Sequence, residues 1–190
     1  MCVIDNYDSF TFNLVASIKK TNIVCDVYRN DNNFLLSDEI MDYDGFVISP
    51  GPSNPSNSGL SMKLLSRIAE QKPVFGVCLG MQIINEFFGG STIKAPFPVH
   101  GKTCRIQVLD RDVIFKDVPE NPMVARYHSL ICSDVHHPLL ITAVFNQIPM
   151  ALKHQILPIY GVQFHPESFM TPEGDTMIRN FIEVVRGSED

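Results

Sequence analysis

A cysteine flanked by glycines is the residue of this sequence that most clearly predicts chemistry. Cys78 lies two residues after Gly76 and two before Gly80, between the apolar run 73–77 and a helix-like segment 79–88. Glycines at these positions favour a sharp turn from strand to helix, the arrangement known as a nucleophile elbow. The partial positive charge at a helix N-terminus favours a thiolate there. Although a lone cysteine is more often a small core residue, the two glycines favour a nucleophile.

A thiol nucleophile needs a base, and the base needs a group that orients it. His165 ends the apolar run 159–164 and is followed at once by Pro166 and Glu167. The carboxyl end of a strand is where α/β sheets carry their active sites. Proline restricts the backbone, and a carboxylate two residues away can bind one imidazole nitrogen while the other faces a thiol. We therefore predict that Cys78, His165 and Glu167 act together.

The elements that must position these residues follow from the apolar pattern. In the first half, short apolar runs alternate with helix-like segments, which is typical of βα units on a parallel sheet. The predicted strands are 2–5, 23–28, 45–49 and 74–77, and the predicted helices are 10–20, 34–41, 60–71 and 79–88. The second half predicts added antiparallel strands at 105–109, 123–127, 139–145, 150–154 and 159–163, then a helix at 175–186. The irregular stretch 49–58 is long enough to predict a functional loop.

Composition narrows the class of protein. A chain of 190 residues predicts one domain, residues 1–190. The net charge of -6 argues against nucleic-acid binding. Neither a membrane-spanning apolar run nor a signal-peptide pattern is found. The five cysteines are widely spaced and form no C-x-x-C pair, which favours a reducing compartment. We expect a cytoplasmic protein.

Six short motifs, in order, resemble those of the class I (triad) glutamine amidotransferases. Two contain the residues named above: Gly-Val-Cys-Leu-Gly at 76–80 and Gln-Phe-His-Pro-Glu-Ser at 163–168. The motif at 49–52 resembles the glutamine-site loop of the family, and those at 5–11, 100–102 and 125–130 resemble the branch that serves chorismate enzymes. That branch contains the glutaminase subunits (component II) of anthranilate synthase and of aminodeoxychorismate synthase.

The resemblance implies a fold and a set of roles. The fold is α/β and flavodoxin-like, with a mainly parallel central sheet, flanking helices and added antiparallel strands. Cys78 is then the nucleophile that attacks the side-chain amide of glutamine, His165 the general acid/base and Glu167 the orienting carboxylate. The backbone amides of Gly51 and Leu79 form the oxyanion hole. The residues that contact glutamine are Gly51, Pro52, Ser53, Gln82, His128 and Ser129.

One position departs from the family pattern. The glutamine-site loop usually reads Gly-Pro-Gly, and here it reads Gly51-Pro52-Ser53. A serine that must adopt positive φ costs about 1 kcal/mol relative to glycine. Because the oxyanion role corresponds to Gly51, we expect catalysis to survive, with Ser53 affecting glutamine binding at most modestly.

The resemblance also implies partners. Ammonia is passed to a chorismate-binding synthase subunit in a heterodimer or heterotetramer, and we expect the loop 5–10 to contact that subunit. No cofactor is expected in this chain: it offers no cluster of carboxylates, so we expect any magnesium required to lie in the partner. Anthranilate, for tryptophan synthesis, is favoured over aminodeoxychorismate, for folate synthesis, although one glutaminase can serve both. Weaker alternatives are a related Cys-His hydrolase and a non-catalytic regulatory subunit.

Overall fold

The computed structural model describes residues 1–111 and 113–187, so residues 112 and 188–190 of the predicted domain lie outside it. Four α-helices lie within these ranges: α1 (Thr11–Lys19), α2 (Ser61–Ile68), α3 (Leu79–Phe87) and α4 (Gly174–Gly187). The same ranges contain twelve strands: β1 (Cys2–Asp5), β2 (Asp26–Arg29), β3 (Phe46–Ile48), β4 (Val74–Val77), β5 (Ser91–Lys94), β6 (Lys102–Arg105), β7 (Gln107–Val108), β8 (Met123–Arg126), β9 (Leu130–Ser133), β10 (Leu139–Phe145), β11 (Ile148–His154) and β12 (Ile159–Val162).

Eight of the strands form one mixed sheet in the order β2-β1-β3-β4-β12-β11-β10-β7. The five strands from β2 to β12 run parallel, and β11, β10 and β7 extend the sheet antiparallel. Strands β5 and β9 form a separate antiparallel pair, as do β6 and β8. The predicted α/β fold, with a mainly parallel sheet and added antiparallel strands, is confirmed.

Strands β1, β3 and β4 are buried on both faces, which explains why they read as continuous apolar runs. Alternate side chains point to opposite faces. Phe46 and Ile48 of β3 pack with buried residues of α2 and α3. Val47, between them, packs on the other face with buried residues of α1 and α4. No helix in the described part of the chain is long and apolar enough to cross a membrane.

The strand order brings Cys78 and His165 to the same edge of the sheet, the one formed by the carboxyl ends of its parallel strands. The chain moves from β1 to β2 on one side and then returns to β3 on the other, and such reversals create a crevice at the carboxyl ends of the strands. Cys78 directly follows β4, and His165 follows β12 by three residues. Because β4 and β12 are neighbours with Val77 beside Val162, the two residues meet at this edge.

The predicted helix 34–41 is wrong. The structure has two short 3-10 helices there, Asn33–Leu36 and Asp38–Asp42. Ser37 separates them in an extended conformation with ψ 164°, and one extended residue is enough to end a helical hydrogen-bond series. The apolar spacing suited a continuous helix, but it could not show this interruption.

Two strands have other bounds in the structure than were predicted, because of the strands with which they pair. Strand β2 begins at Asp26 rather than at residue 23, because it pairs only with β1 and Cys2 lies opposite Asp26. The predicted strand 105–109 is divided between β6, which pairs with β8, and β7, which pairs with β10. Strands β5 and β9, which are short and partly polar, were not predicted from the sequence.

Candidate active site

Cys78 occupies the turn between β4 and α3 in a conformation unusual for a non-glycine residue. Its φ is 53° and its ψ is -102°, and such strain clusters at functional sites. Its backbone N–H donates to the Val162 carbonyl at 2.7 Å. The glycines contribute by lacking side chains: a Cβ on Gly80 would lie 2.2 Å from the Ile48 oxygen, and one on Gly76 would lie 2.5 Å from the Gly80 carbonyl. The predicted elbow is present, with its positive φ at the cysteine itself.

His165 and Glu167 form a buried pair behind the cysteine. Nδ1 of His165 lies 2.6 Å from Oε1 of Glu167, and the two side chains are 3% and 0% exposed. The backbone of His165 is held to β8 because its N–H donates to the Ala125 carbonyl at 3.0 Å. The Thr171 hydroxyl donates to the His165 carbonyl at 2.7 Å. The predicted orienting contact between acid and imidazole is therefore present.

Two aromatic rings contact the imidazole of His165, and the sequence motifs predicted this contact for neither. Phe10 lies 5.3 Å and Tyr127 lies 5.1 Å from it between ring centroids. The two rings also contact each other at 5.1 Å. Edge-on contacts of this kind restrict ring orientation and exclude water.

The charge state of His165 follows from opposing effects. Burial lowers its pKa, but interactions with Cys78 and Glu167 outweigh burial and raise the pKa to about 10. Its Nε2 atom is buried and has no hydrogen bond of normal geometry among the described residues. A protonated imidazole at neutral pH can supply a proton to a leaving group.

All residues predicted to contact glutamine or its oxyanion line a single cavity of about 150 Å³. That volume is smaller than the roughly 300 Å³ at which pockets for drug-sized ligands begin, and it suits a small substrate. His165 and Glu167 do not line this cavity, so Cys78 is the residue of the predicted triad that does. Its walls are formed by Gly51, Pro52, Ser53, Cys78, Leu79, Gln82, Tyr127, His128, Ser129 and Leu130.

Two backbone amides of the cavity wall are suited to stabilise an oxyanion. Leu79 is the first residue of α3, and helix N-termini favour negative charge. Within the described residues, neither this amide nor that of Gly51 donates a hydrogen bond. A Cβ on Gly51 would lie 2.6 Å from Asn6 Cβ, so glycine permits the close approach of this loop. The Asn6 amide also donates to the Ser49 carbonyl at 2.9 Å.

Ser53 adopts the conformation for which glycine is preferred. Its φ is 73°, which is the left-handed region. The Asn57 amide donates to its hydroxyl at 3.1 Å. The positive φ that would carry a steric cost for serine is therefore present.

His128 is a neutral member of a buried hydrogen-bond network. Its Nδ1 donates to the Leu130 carbonyl at 3.1 Å, because Nε2 accepts from Nε of Arg126 at 3.1 Å. Burial, followed by the charge of Arg126, lowers the pKa of His128 to about 4. The Gln82 amide donates to the same Leu130 carbonyl at 3.2 Å.

Sequence reasoning assigned no role to Arg126, nor to Gln163, whose amide lies 3.5 Å from the Cys78 sulfur. Gln163 directly follows strand β12 (Ile159–Val162) and is fully buried. An amide two residues before a candidate catalytic histidine, at the end of an apolar run, is the signal that could have identified it. Among residues 1–111 and 113–187, no group of three or more metal-ligating side chains is assembled.

Comparison with known proteins gives consistent results. A family model described as glutamine amidotransferase class-I matches residues 2–185. The aminodeoxychorismate/anthranilate synthase component 2 of Bacillus subtilis is 44% identical, with 97% of this chain and 96% of that protein aligned. The anthranilate synthase component 2 of Haemophilus influenzae is 41% identical, with 95% and 94% aligned. The crystal structure of a protein from Thermoplasma acidophilum, assigned to GMP synthase, has a TM-score of 0.90 and 26% identity, covering 99% of this chain and 94% of that one.

Proposed function

The chain belongs to the class I glutamine amidotransferase family, and from this premise we propose that it hydrolyses L-glutamine and passes the ammonia to a chorismate-binding synthase subunit that makes anthranilate. The observation that carries the proposal is Cys78, which opens on a small cavity from a strained elbow. Behind it, the buried His165–Glu167 pair offers a proton donor and acceptor.

In the first half of the reaction, the Cys78 thiolate attacks the amide carbon of the glutamine side chain. The carbonyl oxygen becomes an oxyanion between the amides of Gly51 and Leu79, and each such donor typically contributes about 3 kcal/mol to the transition state. When the carbon–nitrogen bond breaks, the imidazolium of His165 gives its proton to the departing nitrogen. Ammonia and a γ-glutamyl thioester result.

In the second half, His165 removes a proton from water as the water oxygen attacks the thioester carbon. The carbon–sulfur bond breaks, and the electron pair stays on Cys78 as a thiolate. Glutamate leaves and His165 is protonated again. Glu167 keeps the imidazole oriented throughout, because it binds Nδ1 at 2.6 Å.

Polar groups of the cavity wall are available to the α-amino and α-carboxylate groups of glutamine. Gln82 uses its amide nitrogen within the protein, so its carbonyl oxygen is the atom that can accept from an ammonium group. Ser129 and the loop containing Pro52 and Ser53 also line the cavity. These contacts would hold the substrate amide next to the sulfur.

The partner of this chain is proposed to be a synthase subunit, in a heterodimer or heterotetramer, with any magnesium in that subunit. The Asp5 carboxylate supports an ordered docking loop, because it accepts from the backbone of Tyr7 at 2.9 Å and from the hydroxyl of Thr11 at 2.9 Å. We propose that residues 5–10 contact the synthase. Alanine at Asp8 and Ser9 should then weaken synthase capture in a pull-down, and unchanged affinity would refute the contact.

The aminodeoxychorismate pathway is the second candidate, since the Bacillus subtilis relative carries both synthase names. The chemistry of this chain is the same in both cases, and the partner determines the product. Testing the purified chain with each synthase would show which product forms. We also propose a cytoplasmic location, which is supported by five cysteines without disulfides.

The central experiment measures ammonia release from glutamine, with and without a synthase partner. Cys78→Ser should abolish glutamine-dependent synthesis while synthesis supplied with free ammonia continues. Glutamine-dependent activity that survives in Cys78→Ser would reject the proposed nucleophile. Hydrolysis of unrelated amides without any partner would favour a general Cys-His hydrolase instead.

A further inference from the structure

A buried side-chain amide contacts the sulfur of the elbow cysteine. Strands β4 and β12 are parallel neighbours in which Val77 lies beside Val162. The next residues, Cys78 and Gln163, therefore leave the sheet side by side. Gln163 is 0% exposed, and its Nε2 atom lies 3.5 Å from Sγ of Cys78.

The direction of this amide is determined by its neighbours. A backbone carbonyl can only accept hydrogen bonds, so the Leu130 carbonyl requires Gln82 to present its amide nitrogen, at 3.2 Å. The same Gln82 nitrogen lies 3.2 Å from Oε1 of Gln163 and donates its second hydrogen there. Because its oxygen faces Gln82, Gln163 presents its NH₂ group to the sulfur.

The other end of this network is also anchored. The Leu130 carbonyl accepts a second hydrogen bond from His128, which in turn accepts from the buried guanidinium of Arg126. Each of these groups is held by a partner of complementary polarity. A buried network whose members are satisfied resists rearrangement, and this network positions the Gln163 amide.

We propose that Gln163 is a catalytic residue whose N–H donates a hydrogen bond to the Cys78 sulfur, stabilising the thiolate and holding it towards the cavity. The inference rests on the proposed function, because it takes Cys78 as the nucleophile. The amide transfers no proton. Its bond to sulfur weakens when the sulfur forms the thioester and strengthens when the carbon–sulfur bond breaks, so it assists departure of the thiolate during hydrolysis.

This role differs from that of His165. The imidazole supplies and removes protons, whereas the amide of Gln163 keeps the same protons at every pH. A Gln163 that only filled space would be replaceable by an apolar residue of similar volume, with no effect on the ionisation of the thiol. The two roles therefore predict different pH profiles.

The test is the rate at which iodoacetamide alkylates Cys78, followed on the Cys78 peptide by mass spectrometry between pH 5 and 10. The apparent midpoint belongs to the coupled thiol and imidazole. Gln163→Leu removes the donor and should raise the midpoint by about one pH unit, the size expected for one hydrogen bond to a charged group. Gln163→Glu should raise it further, because a carboxylate opposes the thiolate.

Glutamine kinetics give a second readout. We expect Gln163→Leu to lower kcat by about tenfold, in line with the loss of one hydrogen bond to a charged group, with KM little changed. Gln82→Met leaves the Gln163 oxygen without its donor, so it should raise the alkylation midpoint by a smaller amount. This variant tests the same network if the Gln163 variants do not fold.

Asn85→Leu is the matched control. Asn85 is a buried amide on the same helix as Gln82, and it donates to the carbonyls of Ser91 and Ser133, both at 2.9 Å. Its replacement should lower stability and leave the midpoint unchanged. A folded Gln163→Leu protein with the wild-type midpoint, or an equal shift in Asn85→Leu, would overturn the proposal. Failure of the proposed function would instead be seen as glutamine-dependent activity in Cys78→Ser.

Discussion

Two non-glycine residues with positive φ line the same cavity. Cys78 has a φ of 53° and Ser53 has a φ of 73°. At Cys78 the strained turn presents the sulfur to the cavity, and the tightly packed glycines on either side maintain it. At Ser53 the side chain accepts a hydrogen bond from the Asn57 amide. The strained backbone therefore positions the reacting sulfur at Cys78, whereas at Ser53 it positions no reacting atom.

We expect Ser53→Gly to stabilise the protein by about 1 kcal/mol, because glycine adopts positive φ without steric cost. Turnover should remain similar and the Michaelis constant for glutamine should change only modestly. Urea unfolding measures the first effect and steady-state glutaminase assays measure the second.

Ser56→Gly is the control for this change. Ser56 is an exposed serine in the neighbouring 3-10 helix Pro55–Asn57, so glycine there adds freedom to the unfolded chain and should lower stability. Equal effects at the two positions would contradict the conformational argument. A large rise in turnover for Ser53→Gly would show instead that the present loop impairs catalysis.

The lowered pKa of His128 predicts acid sensitivity. In the unfolded chain this histidine binds a proton near its ordinary pKa of 6.5, but in the folded protein it does so only at about 4. The stability that comes from the neutral form is complete above pH 6.5 and is lost as the pH falls towards 4. This loss should be on the order of 2 kcal/mol, measured by urea unfolding between pH 7 and 4.5.

His128→Gln should therefore make the pH dependence of stability shallower. His100→Gln is the matched control, since His100 is exposed, and it should retain the wild-type slope. If His128→Gln also retains that slope, the pKa of His128 is not lowered in the folded protein and the prediction is wrong.

At the scale of elements, the packing of α3 on β3 depends on the missing side chain of Gly80. A Cβ there would lie 2.2 Å from the backbone oxygen of Ile48, and neither backbone can move without disturbing the elbow. Gly80→Ala should lower the free energy of unfolding by about 3 kcal/mol or more, by the mechanism of overpacking. Gly187→Ala, where a Cβ meets nothing within 4 Å, should change it by less than about 0.5 kcal/mol. Thermal unfolding of both variants checks the difference.

Elements with a strong local pattern were predictable, and those that depend on distant pairing were not. The residues of β4, the elbow and α3 are consecutive, so the glycine spacing and the apolar period were enough to predict all three. Strand β9 contains Leu130, which is central to the network at the sulfur, yet its four residues carry no distinct pattern. Its existence depends on pairing with β5, nearly 40 residues earlier in the chain.

The same distinction applies to the site residues. Cys78, His165 and Glu167 lie in short motifs, and their types alone suggest chemistry. Arg126, Tyr127 and Gln163 act through contacts that form only after β8 and β12 join the assembled fold. No local spacing in the sequence reports the contacts of Arg126 and Tyr127, and the position of Gln163 near His165 does not show that its amide contacts the sulfur.

At the scale of the whole molecule, two exposed phenylalanines lie near the edge of the sheet that carries the site. Phe12 at the start of α1 is 65% exposed, and Phe169, two residues after Glu167, is 92% exposed. Under the proposed function, this surface faces the synthase. Phe12→Ser and Phe169→Ser should each weaken synthase binding, because exposed aromatic residues are common anchors of interfaces. Calorimetric titration with the synthase measures the change, expected to be about tenfold in Kd.

Ile156→Ser is the control for this surface. Ile156 is 89% exposed, but it precedes β12 and so lies at the opposite end of the strand from the site. Its replacement should leave synthase affinity unchanged. Equal losses at Ile156 and Phe169 would show that the effect comes from general destabilisation or from a different docking face.

The position of β12 has a consequence for how the protein is made. It is the last of the described strands in the chain, yet it lies between β4 and β11 in the sheet. Until β12 has been translated, β4 and β11 each present an unpaired strand edge, and such edges are prone to aggregation. The cysteine of the elbow also has no histidine partner at this stage, so a nascent chain cannot release ammonia until residues 165–167 have been added.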